Sequence, residues 1–240
     1  AVVTLSAYFL YMFFSMLESN FFFSVILTLI LVSALGYGLN KAVYMQFRKR
    51  KSGSTILLIV SFALLILAES IILIFFGADV KTIGYIPVSK GMDFFGAIIT
   101  PLQAVIIMVS LLIFAGLFIF LRKTQIGKAL RAVSDNKDVA EICGISSEKM
   151  YSWSFAIGSF IAGIAGILIS LEQNLEPTMG TSLIIKGFTG AIIGGMGNPY
   201  GAVLGSIFLG LAENFGIWYL PSGYKDAIAF TLLFVFLLFK

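Results

Sequence analysis

The chain has 240 residues, 59% of them hydrophobic and 12% charged, with a mean hydropathy of +1.02. That profile excludes a soluble globular domain and fits a polytopic membrane protein. There is no His and a single Cys, Cys143, so imidazole acid–base catalysis, a disulfide framework and zinc chemistry have little to rest on.

Val2 to Leu17 is a short apolar run, Glu18, Ser19 and Asn20 make a polar turn, and Phe21 to Leu39 has the length of a span, so the two runs are expected to pair as a hairpin. Asn40 to Ser54 reads as a polar loop. It carries Lys41, Arg48, Lys49, Arg50 and Lys51 without an acid, which places it in the cytoplasm. Thr55 to Phe76 crosses next and carries Glu69 inside it; Gly77 to Asp93 is a charge-balanced outer loop. Phe94 to Ile99 reads as interfacial. Thr100 and Pro101 are an N-cap and first-turn pair, opening a helix to Leu121.

Arg122 to Tyr151 is the longest polar stretch, with Arg122, Lys123, Lys128, Arg131, Lys137 and Lys149 against four acids. Charge and the number of crossings both place it in the cytoplasm. Within it, Ile126, Ala129, Leu130 and Val133 fall at i, i+3, i+4 and i+7, predicting an amphipathic helix with Lys128 and Arg131 on the other face. Ser134, Asp135 and Asn136 are all N-cap types, so a second helix is expected from Lys137, with a glycine stop at Gly144. Such a pair can lie on the lipid surface or meet a soluble partner.

Ser152 to Leu171 crosses outward, and Glu172 to Ser182 turns on the outer face. Leu183 to Gly197 and Ala202 to Phe215 look too short for ordinary spans, with the GMGNPYG turn between them. Two broken helices and a re-entrant hairpin both fit. A final span begins near Ala227. The apolar start at Ala1 and the short last run read as a chain with further sequence at both ends.

Inside the membrane, Ser159, Ala162, Gly163 and Gly166 form a small-residue stripe that lets another helix approach closely. Gly194, Gly195 and Gly197 fit close packing and a solute path equally. Glu69, Lys186 and Glu213 are ionisable groups at membrane depth, where a charge costs about 2.5–3.5 kcal/mol on insertion scales. They either line the path of a zwitterionic solute, or pair with one another, neutralise or snorkel to the interface.

Five segments, GKALRAVSDNKDVAEICGIS, SFAIGSFIAGIAGIL, EPTMG, FTGAIIGGMGNPYGAVLGSIFLGLAEN and YKDAIAFTLLFVFLL, resemble in that order the permease subunits of branched-chain amino-acid ABC transporters. The resemblance is strong from about Gly127 onward and weaker upstream. It implies an all-α polytopic bundle with broken or re-entrant helices and about 6–8 membrane segments, forming one permease domain over 1–240 in the cytoplasmic membrane. It also implies that the segment 122–150 meets an ATPase subunit through Gly127, Ala129, Arg131, Ala132, Ala140 and Gly144, with 183–216 as a broken-helix region. Glu69, Lys186, Gly194, Gly195, Gly197 and Glu213 are then candidates for the solute path. Partners implied are ABC ATPase subunits, a second permease subunit or a second copy of this chain, an extracytoplasmic solute-binding protein and the lipid bilayer, with no nucleic acid. The chain has no GxxxxGK[ST], since Arg122 stands five residues before Gly127, so ATP and magnesium fall to the partner and this chain carries out no enzymatic reaction. The resemblance implies a carrier of branched-chain or other small solutes. The competing reading is an ion-coupled secondary transporter or channel.

Overall fold

The computed structural model describes residues 1–240 except 51, 85–91, 95–96, 196, 220 and 240. Packing divides the chain into two units, Ala1–Pro177 and Thr178–Lys240. Almost all regular structure is helical, as a bilayer demands of any chain that satisfies its backbone hydrogen bonds within each segment.

In the first unit α1 (Val2–Tyr11) continues as a π-helical turn (Met12–Met16). Leu17 to Asn20 then reverses the chain, with Glu18 at φ +48° and the Asn20 side chain accepting from the Phe22 amide at 3.2 Å. The expected hairpin is present: α2 (Phe21–Leu39) returns along α1. Where a loop is expected from Asn40, the helix instead goes on through a π-turn (Asn40–Tyr44) into α3 (Met45–Lys49), giving a continuous 29-residue element. The reason is tertiary as well as local. Asn40 is fully buried, Arg48 has partners to hold it, and Arg48 and Lys49 lie at a helix C-terminus, where the helix dipole favours positive charge. The loop shrinks to a few residues before α4 (Ser54–Phe76).

Beyond α4, Lys81 pairs backbone to backbone with Leu175, 3.1 and 2.8 Å for the two N–H···O bonds, so two loops far apart in the sequence are joined. Part of the expected outer loop, and part of the expected interfacial run Phe94 to Ile99, lie outside the described residues. On either side of 95–96, β1 (Met92–Phe94) and β2 (Ala97–Ile99) pair antiparallel. α5 (Pro101–Lys123) starts as expected, at a capping box in which Thr100 and Gln103 exchange side-chain and backbone bonds. α6 (Gln125–Asp135) and α7 (Lys137–Ile142) lead into α8 (Ser147–Glu172). α8 is the hub of this unit, packing on both α1 and α2. The predicted small-residue stripe does this: Gly163 faces Leu29 and Val32 of α2, Gly166 lies against Val3 and Ser6 of α1, and Ser159 lies on Gly36.

In the second unit α9 (Met179–Gly194) and α10 (Pro199–Tyr219) form a tight antiparallel hairpin, followed by a short 3₁₀ turn (Ser222–Tyr224) and α11 (Lys225–Phe239). The second half of the glycine-rich region is thus longer than expected: Pro199 opens a helix at N1, and α10 has 21 residues where Ala202 to Phe215 is expected. Gly195 and Gly197, at φ +90° and +95°, make the turn that is left. Phe21–Lys49, α4, α5, α8 and α10 are long and apolar enough to cross a bilayer, with Val2–Met16 and Met179–Gly194 as shorter apolar helices.

Candidate functional site

The helix pair α6–α7 is built by three local devices. Thr124 ends α5 and caps α6: its hydroxyl donates to the Phe120 carbonyl at 2.7 Å and accepts from the Gly127 amide at 3.0 Å. The chain folds back so tightly here that a Cβ on Gly127 would overlap the Phe120 carbonyl and lie 2.6 Å from Leu121 Cα. Asn136 breaks α6 and starts α7, its Oδ1 accepting from the amides of Asp138 and Val139, both at 3.1 Å. Gly144, at φ +84°, closes α7, with the Ile145 amide reaching back to the Ala140 carbonyl at 3.0 Å. Helix, break, helix and glycine stop therefore stand where the spacing puts them.

The candidate coupling residues separate by exposure. Arg131 is exposed and Ala129 and Ala132 are half-buried on α6, whereas Gly127 and Ala140 are buried. Gly127 and Gly144 shape the backbone, and Ala140 fills the inner face of α7. The surface offered outward by α7 is instead Val139 and Ile142, 54% and 85% exposed. Their apolar side chains at i and i+3 on a solvated helix are the signal in the sequence that points to this outward face.

This segment is anchored to the membrane helices at the start of α8. The Ser147 hydroxyl donates to the Glu141 carboxylate on α7. The next residue, Glu148, holds Arg48 of α3 in a two-pronged pair, Nη2 to Oε2 at 2.9 Å and Nε to Oε1 at 3.2 Å.

The candidate path residues fall in both units. Glu69 is half-buried on α4 of the first. In the second, Lys186 Nζ lies 3.2 Å from Glu213 Oε2 and 3.4 Å from Asp226 Oδ1, so pairing is what the structure shows for Lys186 and Glu213, with Asp226 a member that sequence did not suggest. Glu213 is 8% exposed, and its Oε1 has no hydrogen-bond partner among the described residues. Gly194 is engaged in packing, its Cα face against the backbone of Gly201 and Ala202, whereas a Cβ on Gly195 or Gly197 would meet open space. Among the described residues no group of His, Cys, Asp and Glu is arranged to hold a metal ion.

Helices able to cross a bilayer, two of which, α5 and α8, are joined by a capped amphipathic pair, define a multi-pass helical membrane protein. The family model described as branched-chain amino acid transport system / permease component matches residues 1–237, and the chain belongs to that family. It is 30% identical over 221 residues to the high-affinity branched-chain amino acid transport system permease protein BraD of Pseudomonas aeruginosa, covering 89% of this chain and 70% of that protein. To the permease protein LivH of the corresponding Escherichia coli system it is 37% identical over 145 residues, 60% of this chain and 47% of that protein. A probable branched-chain amino acid transport permease protein LivH of Methanocaldococcus jannaschii is 35% identical over 116 residues, 48% of this chain and 37% of that protein. The chain therefore spans less than half the length of the two LivH relatives. No solved structure was found to match.

Proposed function

We propose that this chain is a transmembrane subunit of an ABC importer in the cytoplasmic membrane, moving branched-chain or other small amino acids with energy from ATP hydrolysed by a partner subunit. The observation that carries the reading is the outward face of the cytoplasmic helix pair. Two apolar side chains, Val139 and Ile142, stand exposed on α7, and the cationic Arg131 is exposed on α6, in a segment with a capped backbone. A preformed helix with exposed apolar anchors fits a groove on a soluble partner at small ordering cost. The match of the family model over residues 1–237 supports treating the two units as parts of one permease domain. The names of the relatives support the solute class. An extracytoplasmic solute-binding protein and a second permease subunit, either a relative or a second copy, complete the proposed assembly.

The test is co-purification from a strain expressing the whole transporter. Val139→Asp combined with Ile142→Asp is expected to reduce ATPase recovery about tenfold or more, the loss of two buried apolar anchors, while leaving the amount of membrane-inserted chain unchanged. Unchanged ATPase recovery would reject this face as the docking surface. Uptake by the purified protein in vesicles without any ATPase would reject the importer reading as a whole.

A further inference from the structure

We infer that a clamp centred on Arg48 is the positioning device that carries movement of the cytoplasmic helix pair into the α2–α8 pair. The inference rests on the coupling role proposed above and names the residues that transmit it.

Arg48 engages partners on two helices. Besides its two bonds to Glu148, its Nη2 donates to Asn40 Oδ1 at 2.8 Å, and its guanidinium lies 4.6 Å from the centroid of the Tyr151 ring. Asn40 in turn donates through Nδ2 to Ser152 Oγ at 2.9 Å, and that hydroxyl donates to the Glu148 carbonyl at 3.0 Å. The bonds close a ring running Arg48, Glu148, Ser152, Asn40 and back to Arg48. A lone surface ion pair is easily replaced by water and salt. This one differs in three respects: the pair is bidentate, the Arg48 side chain is only 16% exposed, and the far side of the ring is the fully buried Asn40. A planar fork held on both oxygens fixes orientation as well as distance, which a point charge cannot do.

The ring stands where motion would have to pass. Upstream, Ser147 is bonded to Glu141 of α7, so a displacement of α7 reaches Glu148 one residue later. Downstream, α2 and α8 have little room to slide past one another: Gly36 is seated on Ser159, and Ser33 Oγ donates to the Ala156 carbonyl at 3.2 Å. Between Arg48 and this contact lies the π-turn Asn40–Tyr44, a wider hydrogen-bonding register of the kind found at functional sites in helices. Asn40, the first residue of that turn, is also a member of the ring. The clamp thus ties the docking element, the register-shifted turn of α2 and the first turns of α8 into one connected unit.

The test uses the whole transporter reconstituted in liposomes with its ATPase subunits and solute-binding protein, measuring ATP turnover and leucine uptake in the same preparation. Glu148→Gln removes the charge of the acceptor. Arg48→Lys keeps the positive charge and the stem but loses the fork, and so guards against simple misfolding. In both variants the ATPase is expected to remain bound and to turn over ATP, while leucine moved per ATP falls about three- to thirtyfold, the range of coupling changes for residues that touch neither ligand. Leucine per ATP unchanged in both variants overturns the inference, as does a proportional fall of uptake and turnover together, which would mark the clamp as structural. Loss of ATPase binding in the variants alone also overturns it, since the clamp would then be part of the docking surface. If the unaltered chain binds no ATPase, the coupling reading itself fails, a distinct outcome.

Discussion

The helix pair α2–α8 in the first unit and the pair α9–α10 in the second both rely on glycine, but in different ways. In α9–α10 backbone meets backbone at three of four glycines: a Cβ on Gly194, Gly201 or Gly205 would overlap backbone atoms of the opposite helix, and only Gly190 meets a side chain, the Ser206 hydroxyl. In α2–α8 backbone meets side chain: Gly36 is seated on Ser159, and Gly163 accepts the tips of Leu29 and Val32. Their polar ends differ in the same sense. Lys186 is one ammonium shared between Glu213 and Asp226, whereas Arg48 grips both oxygens of Glu148. In a bilayer no hydrophobic drive holds helices together, so close approach and interhelical polar contacts do it instead. The backbone-tight hairpin is built to stay closed. The α2–α8 pair is held in alignment by side chains and a directional clamp instead.

The largest expected effect breaks the backbone-tight hairpin. In Gly201→Ala the new methyl would overlap the Gly194 carbonyl oxygen, with 2.9 Å left to its carbon. Helix backbone cannot step aside as a side chain can, so the cost is expected at or above the top of the about 1–3 kcal/mol usual for overpacking. Thermal unfolding in detergent measures it, and an unchanged midpoint would mean that α9 and α10 do not approach so closely. Gly36→Ala comes next. Its methyl would overlap Ser159 Oγ and lie 2.5 Å from Ser159 Cβ and 2.9 Å from the Phe155 carbonyl, so a loss of about 1–3 kcal/mol is expected. Here the obstruction is mostly a side chain, so adding Ser159→Gly should recover most of the loss. Such rescue by one partner is not open to Gly201→Ala, and its failure at Gly36 would erase the distinction between the two pairs.

How much of this was legible in the sequence follows the length scale of the signals. The capped helix pair was readable because its determinants are local: Asn136 and Gly144 act within a few residues of themselves. The stripe Ser159, Ala162, Gly163 and Gly166 announced a close contact without naming α1 and α2 as its partners, since periodicity fixes a face and says nothing of what lies across it. The supposed loop from Asn40 was misread for a related reason. Polar residues after an apolar run look like a loop until a partner a hundred or more positions away, here Ser152 or Glu148, supplies what they need to stay helical. Pairing of Lys186 with Glu213 could be offered only as one of several choices, because contact between residues 27 apart across a hairpin depends on where the turn falls. In the segment 122–150 the residues taken from the family resemblance mix backbone formers with surface formers, and their own burial separates the two.

The smallest expected effect lies at Gly163, where the α2–α8 pair should prove tolerant. A methyl there would sit 3.3 Å from Leu29 Cδ2 and 3.3 Å from Val32 Cγ1, tight but facing the ends of side chains. Leu29 can yield by rotation, whereas Val32 is β-branched, 1% exposed and stiff about χ1, so the contact is not free. Against that strain stands the gain of about 0.8–1.0 kcal/mol from replacing Gly by Ala within a helix. The two should nearly cancel, leaving Gly163→Ala within about 1 kcal/mol of the unaltered protein, with leucine uptake per ATP unchanged in the same reconstituted transporter. A loss as large as that of Gly36→Ala would show that α2 and α8 are as rigidly apposed at Gly163 as at Gly36. The contrast with α9–α10 would then rest on the Arg48 clamp alone, because a pair locked along its whole length has no slack for side chains to take up.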